Sequence, residues 1–136
     1  MRTHRLERLN LRGQADVLRN LPDFDFYHLH EVKRLEWQAA IESDFSKSTL
    51  TLLVVYDNGE TKPLVVQLKC FGVCTLKLPT LASGFWLNEL EIEDLRSSQL
   101  EGIRYKLKDH HESDLEILCE EFEVTEWRQS DSGANP

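Results

Sequence analysis

The sequence lacks long hydrophobic runs, has few cysteines and carries no excess of positive charge, and each absence excludes a class of protein. No apolar stretch approaches the roughly 20 residues that a membrane-spanning helix needs. The arginines near the N-terminus are not followed by the apolar segment of a secretory signal. Three cysteines at irregular spacings do not make a disulfide framework. These features predict a reduced, cytoplasmic protein without a membrane segment.

The charge balance argues against nucleic acid as a partner. The 136 residues include 24 acidic and 16 basic side chains, a formal net charge of −8. Binding to phosphate backbones requires a basic surface instead. The excess is local, because residues 81–136 hold 14 acidic and 5 basic residues. We therefore expect a negative field over this part of the molecule, which would attract a basic protein partner.

Two runs in the second half alternate with the period of a β-strand, apolar on one side and charged on the other. Residues 86–95 place glutamates on the charged side, and residues 103–108 place basic residues there. The pattern predicts an antiparallel hairpin with three cross-strand ion pairs above two apolar pairs. The predicted pairs are Glu93–Arg104, Glu91–Lys106, Glu89–Lys108, Ile92–Tyr105 and Leu90–Leu107.

A third run, residues 115–126, continues this predicted sheet. Its apolar residues alternate with polar ones up to Cys119 and again from Phe122, but the second set is out of phase with the first by one residue. A β-bulge near Glu120 and Glu121 would absorb the extra residue and return both sets of apolar side chains to the core. The basic strand would then lie between two acidic ones.

The remaining segments complete an α+β fold that is mostly β. Residues 14–21 have helical spacing, and a strand is expected from about Val32 to Glu42. Two β-branched runs flank Asn58-Gly59, which suits the positive φ values of a hairpin turn, and Pro63 marks an edge strand or a strand beginning. We predict a single antiparallel sheet or a sandwich of six to seven strands with one N-terminal helix.

The predicted domain organisation has three parts. Residues 1–25 form a basic N-terminal extension with the short helix, and residues 26–127 form the antiparallel β domain. The small polar residues of 128–136 predict a disordered tail.

No motif indicates an enzyme or a cofactor. Phosphate loops, nucleophile elbows and zinc-protease motifs are absent from the sequence, and exposed carboxylates lack the burial that tunes a catalytic pKa. His30 beside Glu31 is one acid–imidazole pair, which we interpret as a hydrogen bond that fixes a turn. A metal site would use His28, His30, Cys70 and Cys74, but their spacing matches no recognised zinc finger. Thiols buried as small apolar side chains are the alternative.

Three short motifs together resemble a known family. They are LHEV at residues 29–32, CFGVCTLKL at 70–78, and LNELEIEDL at 87–95, followed by EEFEV at 120–124. The set resembles small bacterial domains among the immunity proteins of polymorphic toxin systems, over residues 28–126. In those domains a His-Asp or His-Glu pair opens a strand. The resemblance implies a non-enzymatic protein that binds and neutralises a toxin encoded beside it.

These observations lead to three hypotheses of function. The first is an interaction module whose acidic β-sheet face covers a basic toxin, with carboxylates in place of substrate phosphates. The second is a domain that binds a small ligand or a metal, and the third is a structural protein that self-associates through a sheet edge, such as the strand after Pro63. Trp86 is either an aromatic anchor or, as we expect, a core residue. The candidate partner-binding residues are Glu89, Glu91, Glu93, Glu116, Glu120, Glu123 and Trp127.

Overall fold

A computed structural model describes residues 2–39, 48–78, 85–96, 103–109 and 115–127. Within these ranges the chain forms nine strands, two short 3-10 turns (Leu6–Arg8 and Phe26–His28) and one helix, α1 (Gln14–Asn20). No helix in the described ranges is long and apolar enough to cross a membrane. The strands are β1 (Arg2–Thr3), β2 (Leu29–Gln38), β3 (Thr49–Tyr56), β4 (Leu64–Phe71), β5 (Thr75–Lys77), β6 (Leu90–Asp94), β7 (Tyr105–Asp109), β8 (Glu116–Cys119) and β9 (Glu121–Glu126).

The strands form two antiparallel sheets around one apolar core, so the first of the two predicted arrangements, a single sheet, is wrong. The described ranges hold nine strands rather than the six or seven that were predicted. The five-stranded sheet has the order β1-β6-β7-β8-β5, and the four-stranded sheet has the order β2-β3-β4-β9. Buried side chains from both sheets belong to one cluster, for example Leu52 and Leu68 from one and Leu107 and Ile117 from the other. The prediction of a mostly β protein with an N-terminal helix is confirmed over the described ranges.

Strand β2 has an irregular period because its pairing with β3 contains two bulges. Leu29, Val32 and Leu35 are three residues apart, whereas their partners in β3 are two residues apart. The extra residues keep all three apolar side chains on the core side, which explains why no single strand period fits this segment. The predicted continuation of the strand to Glu42 lies outside the described residues.

Strands β3 and β4 form the hairpin that the sequence predicts, with a wider connection than a two-residue turn. Gly59 has a φ of 78°, and the Asn58 side chain accepts hydrogen bonds from the backbone N–H groups of Glu60 and Thr61. Pro63 directly precedes β4, so it marks a strand beginning. Because β4 lies between β3 and β9, the strand after Pro63 is not an edge.

The hairpin of β6 and β7 forms with the predicted faces but not the predicted register. Glu93 lies opposite Lys106, and Glu91 lies opposite Lys108. Each pairing is displaced by two residues from the expected one. A displacement of two leaves every side chain on its own face, so the alternation alone could not distinguish the two registers.

Strands β8 and β9 are one nearly continuous segment that passes from one sheet to the other. The segment leaves the five-stranded sheet at Cys119, and Glu120 then separates it from the pairing of β9 with β4. Phe122 and Val124 are buried, as the phase change predicted. The Phe122 ring lies 6.4 Å from the ring of Tyr105, which joins the two sheets across the core.

The first 25 residues contribute to the same core. Their buried apolar side chains belong to the core cluster, and the Leu6 N–H donates to the Phe24 carbonyl at 3.3 Å. The division of the chain at residue 25 stays a prediction. The predicted tail, residues 128–136, lies outside the described residues. The buried side chains of this segment are Leu6, Leu9, Leu11, Val17, Leu21 and Phe24.

Candidate protein-binding surface

The outer face of the five-stranded sheet is an alternating array of charges. The basic strand β7 lies between β6 and β8, as predicted. Lys108 is opposite both Glu91 and Glu116, and the outer strands add Arg2 beside Glu93 and Lys77 beside Glu116. The charges at the paired positions of this face therefore alternate in sign from one strand to the next.

Ion pairs neutralise much of this face. The Lys108 ammonium lies 3.3 Å from the Glu116 carboxylate, and the Lys106 ammonium lies 4.0 Å from it. The hydrogen bond from Lys108 is the main cause that lowers the pKa of Glu116, and the nearby lysines lower it further. A depression of about 160 Å³ between Arg2, Glu91 and Glu93 is also bordered by Lys106 and Lys108. Positive and negative charges nearly balance at the paired positions of this face.

The seven candidate partner-binding residues do not lie on one surface. Glu91, Glu93 and Glu116 share the outer face of the five-stranded sheet. Glu120 lies where the chain changes sheets, and Glu123 lies on β9 with its carboxylate 3.9 Å from the Arg12 guanidinium.

Trp127, the seventh, lies on the four-stranded sheet. It borders a shallow depression of about 110 Å³ together with Arg34, Glu36 and Gln67. This depression is separate from the outer face of the five-stranded sheet, so the structure does not bring Trp127 together with β6 and β8.

A second group of acidic side chains surrounds Tyr27, next to the start of β6. The Tyr27 ring stacks on the His4 ring at 4.2 Å, and the Asp25 carboxylate accepts the Tyr27 N–H at 2.8 Å. Burial raises the pKa of the Tyr27 hydroxyl, and three neighbouring carboxylates raise it further. These carboxylates belong to Glu91, Glu89 and Asp25.

Trp86, three residues before Glu89 in the sequence, projects into solvent, contrary to the expectation that it packs in the core. Its side chain is 54% exposed, whereas Phe85 and Leu87 are buried. The segment is held in place because the Val32 N–H donates to the Phe85 carbonyl at 2.9 Å and the Leu87 N–H donates to the His30 carbonyl at 2.7 Å. The backbone around Trp86 is therefore anchored on both sides while the indole stays accessible.

Trp86 and Glu31 are direct cross-strand partners. Side chains at such positions lie on the same face, with Cβ atoms about 5 Å apart. The Lys33 ammonium lies 2.9 Å from the Glu31 carboxylate. We define the aromatic–acidic surface as the group formed by Asp25, Tyr27, Glu31, Trp86, Glu89 and Glu91.

His30 and Glu31 do not bond to each other. The His30 Nε2 lies 3.1 Å from the Asp57 carbonyl, where the connection after β3 begins, and Glu31 pairs with Lys33. The partner of the histidine is therefore a backbone carbonyl at the start of the β3–β4 connection rather than the carboxylate of its neighbour.

The four candidate metal ligands lie at two ends of the four-stranded sheet. His28 and His30 contact Tyr56 and Asp57, at the end of β3. Cys70 is opposite Leu50, near the other end, which places it about 20 Å away at the usual rise of a strand. Within the described ranges no three potential ligands are grouped for a metal ion.

Two of the three thiols are buried together. Cys70 and Cys119 are fully buried, and a hydrogen bond with Cys70 and burial raise the pKa of Cys119 well above its usual value. A thiol with a raised pKa is a poor nucleophile and a poor metal ligand at neutral pH. These two cysteines pack as small apolar side chains, whereas Cys74 is exposed.

Comparison with known families identifies the class of protein. The family model of immunity protein PIM8 matches residues 15–125. The chain belongs to this family. Membership supports an immunity role in general, implies a protein partner such as a toxin, and suggests a protein without catalytic activity. No curated protein and no solved structure matches the chain.

Proposed function

We propose that this immunity protein neutralises a toxin by binding it directly, and that the aromatic–acidic surface binds basic side chains of that toxin. The observation that most supports this proposal is the exposed indole of Trp86 on a backbone held by hydrogen bonds on both sides. Tryptophan is among the residues most enriched in binding hot spots, and a backbone that is already ordered loses little entropy on association.

The surrounding carboxylates favour a basic partner. Glu89 is exposed, and Glu91, Glu31 and Asp25 lie along the same two neighbouring chain segments. An arginine or lysine of the toxin would contact the indole face while its charge lies beside carboxylates, which combines a cation–π contact with an ion pair. Longer-range attraction by these carboxylates would also accelerate association at low salt.

Of the residues predicted from the sequence, this proposal retains Glu89 and Glu91. Glu91 lies opposite Lys108 at the near end of the ion-paired face, and Glu93 lies farther along β6. Glu116 lies on β8, where it pairs with Lys106 and Lys108. Glu120, Glu123 and Trp127 lie away from Trp86. We place the encounter in the cytoplasm, because the three cysteines are free thiols and that compartment keeps them reduced.

The test is a pair of variants, Trp86→Ala and Glu89→Gln/Glu91→Gln, titrated against the protein encoded by the neighbouring gene. Loss of a central anchor should weaken binding by about 2 kcal/mol, which is roughly 30-fold in Kd. The glutamine pair should slow association at low salt and reduce its salt dependence.

Trp37→Ala is the matched control, because Trp37 is 44% exposed but lies outside the aromatic–acidic surface. It should leave the affinity for the toxin unchanged. If Trp86→Ala and the glutamine pair both bind the toxin as tightly as the wild type does, the toxin docks elsewhere.

A further inference from the structure

A depression of about 210 Å³ lies between the two sheets, beside the end of β4 and the start of β7. Its apolar lining comes from Leu11, Phe71 and Phe122, and the rest of its lining is polar or charged. Concave sites that combine apolar side chains with a few polar groups are the usual form of a small-ligand site. No residue of the aromatic–acidic surface lines this depression, so it is a separate feature.

Tyr105 lines the depression, and no described residue forms a hydrogen bond with its hydroxyl. The residue is only 6% exposed, and its ring lies 6.4 Å from the Phe122 ring. A buried tyrosine hydroxyl usually has a hydrogen-bond partner. Burial raises the pKa of the Tyr105 hydroxyl, so the group keeps its proton at neutral pH. It is therefore a fixed donor for a ligand that accepts a hydrogen bond.

Arg96 places a guanidinium beside this hydroxyl. Its guanidinium carbon lies 5.7 Å from the centre of the Tyr105 ring. The Asp94 carboxylate accepts its Nε–H at 3.0 Å and also its Nη2–H, which fixes the side chain. These bonds leave the Nη1 donors of Arg96 for another acceptor.

Arg104 adds a second guanidinium at the same depression. Its backbone is held on both sides, because its N–H donates to the Cys119 carbonyl at 3.0 Å and its carbonyl accepts the Leu95 N–H at 2.7 Å. Its side chain is exposed and forms no ion pair with a described carboxylate. The positive charges of Arg96 and Arg104 both oppose the effect of burial on Tyr105, so they act at the phenol oxygen.

We propose that this depression binds a carboxylate, with the Tyr105 hydroxyl and the guanidiniums of Arg96 and Arg104 as donors. The planar N–H groups of a guanidinium match the two oxygens of a carboxylate. The ligand is either a free organic acid or an acidic group of the toxin, because both present the same two oxygens to the donors.

The charge of the lining favours an anion with a single negative charge. Arg12 also lines the depression, but its guanidinium lies 3.5 Å from the Glu121 carboxylate and 3.9 Å from that of Glu123. Asp94 likewise offsets the charge of Arg96. The surplus positive charge therefore comes from Arg104, which balances one carboxylate. A doubly charged phosphate would keep an unbalanced charge, which is costly in a partly buried site.

The experiment titrates the purified full chain with sodium propanoate, with sodium chloride at equal ionic strength as the reference, and follows amide signals by NMR. Saturable shifts are expected at residues 104–106. Tyr105→Phe removes only the hydroxyl, so the ring packing is kept, and binding should weaken about fivefold. Arg104→Gln should weaken it at least about tenfold, because a charge-assisted bond is lost.

Arg19→Gln is the matched control, since it removes the same charge from an exposed arginine on α1 that does not line the depression. It should bind propanoate like the wild type. Thermal unfolding of each variant establishes that the fold is intact. Shifts that do not saturate, or equal propanoate affinity in the wild type, Tyr105→Phe and Arg104→Gln, would overturn the proposal.

A titration of the same variants against the protein encoded by the neighbouring gene distinguishes the two sources of the carboxylate. If the toxin supplies it, both variants weaken toxin binding, and propanoate competes with the toxin. If the ligand is a free organic acid, the variants lose affinity for propanoate and bind the toxin like the wild type. Trp86→Ala should leave propanoate binding unchanged, so failure of either proposal is visible without the other.

Discussion

Asp109 determines where the strand pattern of β6 begins. It is 3% exposed, and its two carboxylate oxygens accept the backbone N–H groups of Asn88 and Glu89, each at 2.9 Å. These bonds interrupt the alternation that would otherwise place Trp86 on the same side as Leu90. Trp86 consequently faces solvent and Leu87 faces the core. One buried carboxylate thus contributes to the position of the residue on which the toxin-binding proposal depends.

Replacing Asp109 with alanine should lower the free energy of unfolding by about 1–3 kcal/mol, because two backbone N–H groups lose a buried carboxylate acceptor. Chemical denaturation measures the loss, and faster hydrogen exchange at residues 88 and 89 would locate it. The control is Asp57→Ala, since Asp57 accepts the Gly59 N–H in an exposed turn where water can replace it. Equal losses in the two variants would contradict this role for Asp109.

Helix α1 is stabilised by its packing on the edge strand β9. It has only seven residues, and its N-cap is Gly13, which forms no side-chain cap. Isolated helices of this length are unstable in water. The Val124 N–H donates to the Arg12 carbonyl at 3.3 Å, so the segment before the helix covers the backbone of β9. A Cβ atom on Gly13 would lie 2.6 Å from the Val124 carbonyl oxygen.

Gly13→Ala should therefore cost more stability than Gly59→Ala, although both glycines have a positive φ. Gly59 has open space around it, so its substitution should cost only the conformational strain, about 1 kcal/mol. Gly13→Ala should cost at least about 1 kcal/mol more, because backbone atoms must also move apart. Urea denaturation of both variants compares the losses, and similar values would show that α1 does not need this close approach.

At the scale of the whole molecule, two chain segments join the two sheets in addition to their contacts in the core. The segment from β8 to β9 belongs to both, and the residues around Trp86 join β2 to the start of β6. The aromatic rings of Phe26 and Phe122, 6.1 Å apart, extend the link to the N-terminal segment. With one core and shared strands, we expect the described parts of the chain to unfold as a single cooperative unit.

Core truncation in either sheet should accordingly destabilise the entire fold. We expect Leu107→Ala in the five-stranded sheet and Leu68→Ala in the four-stranded sheet to cost about 2–5 kcal/mol each. Far-ultraviolet circular dichroism and tryptophan fluorescence should report the same unfolding midpoint within each variant. Separate midpoints would mean that the two sheets unfold independently.

The sequence by itself determined which sides of β6, β7 and β8 are buried, the place of α1 and the resemblance to immunity-type domains. A two-residue period is a local property, so it assigns the faces of β6, β7 and β8 correctly. It could not determine the register, because a displacement of two residues preserves every face. Nor could it show that Glu91 and Glu123 lie on different sheets.

Only the tertiary structure decided which charges are already neutralised and which aromatic side chains are accessible. Both depend on residues distant in sequence, such as Asp109 for Trp86 and Lys108 for Glu116. Hydrogen bonds and ion pairs act over a few ångströms in space regardless of separation along the chain, so composition and periodicity do not contain them.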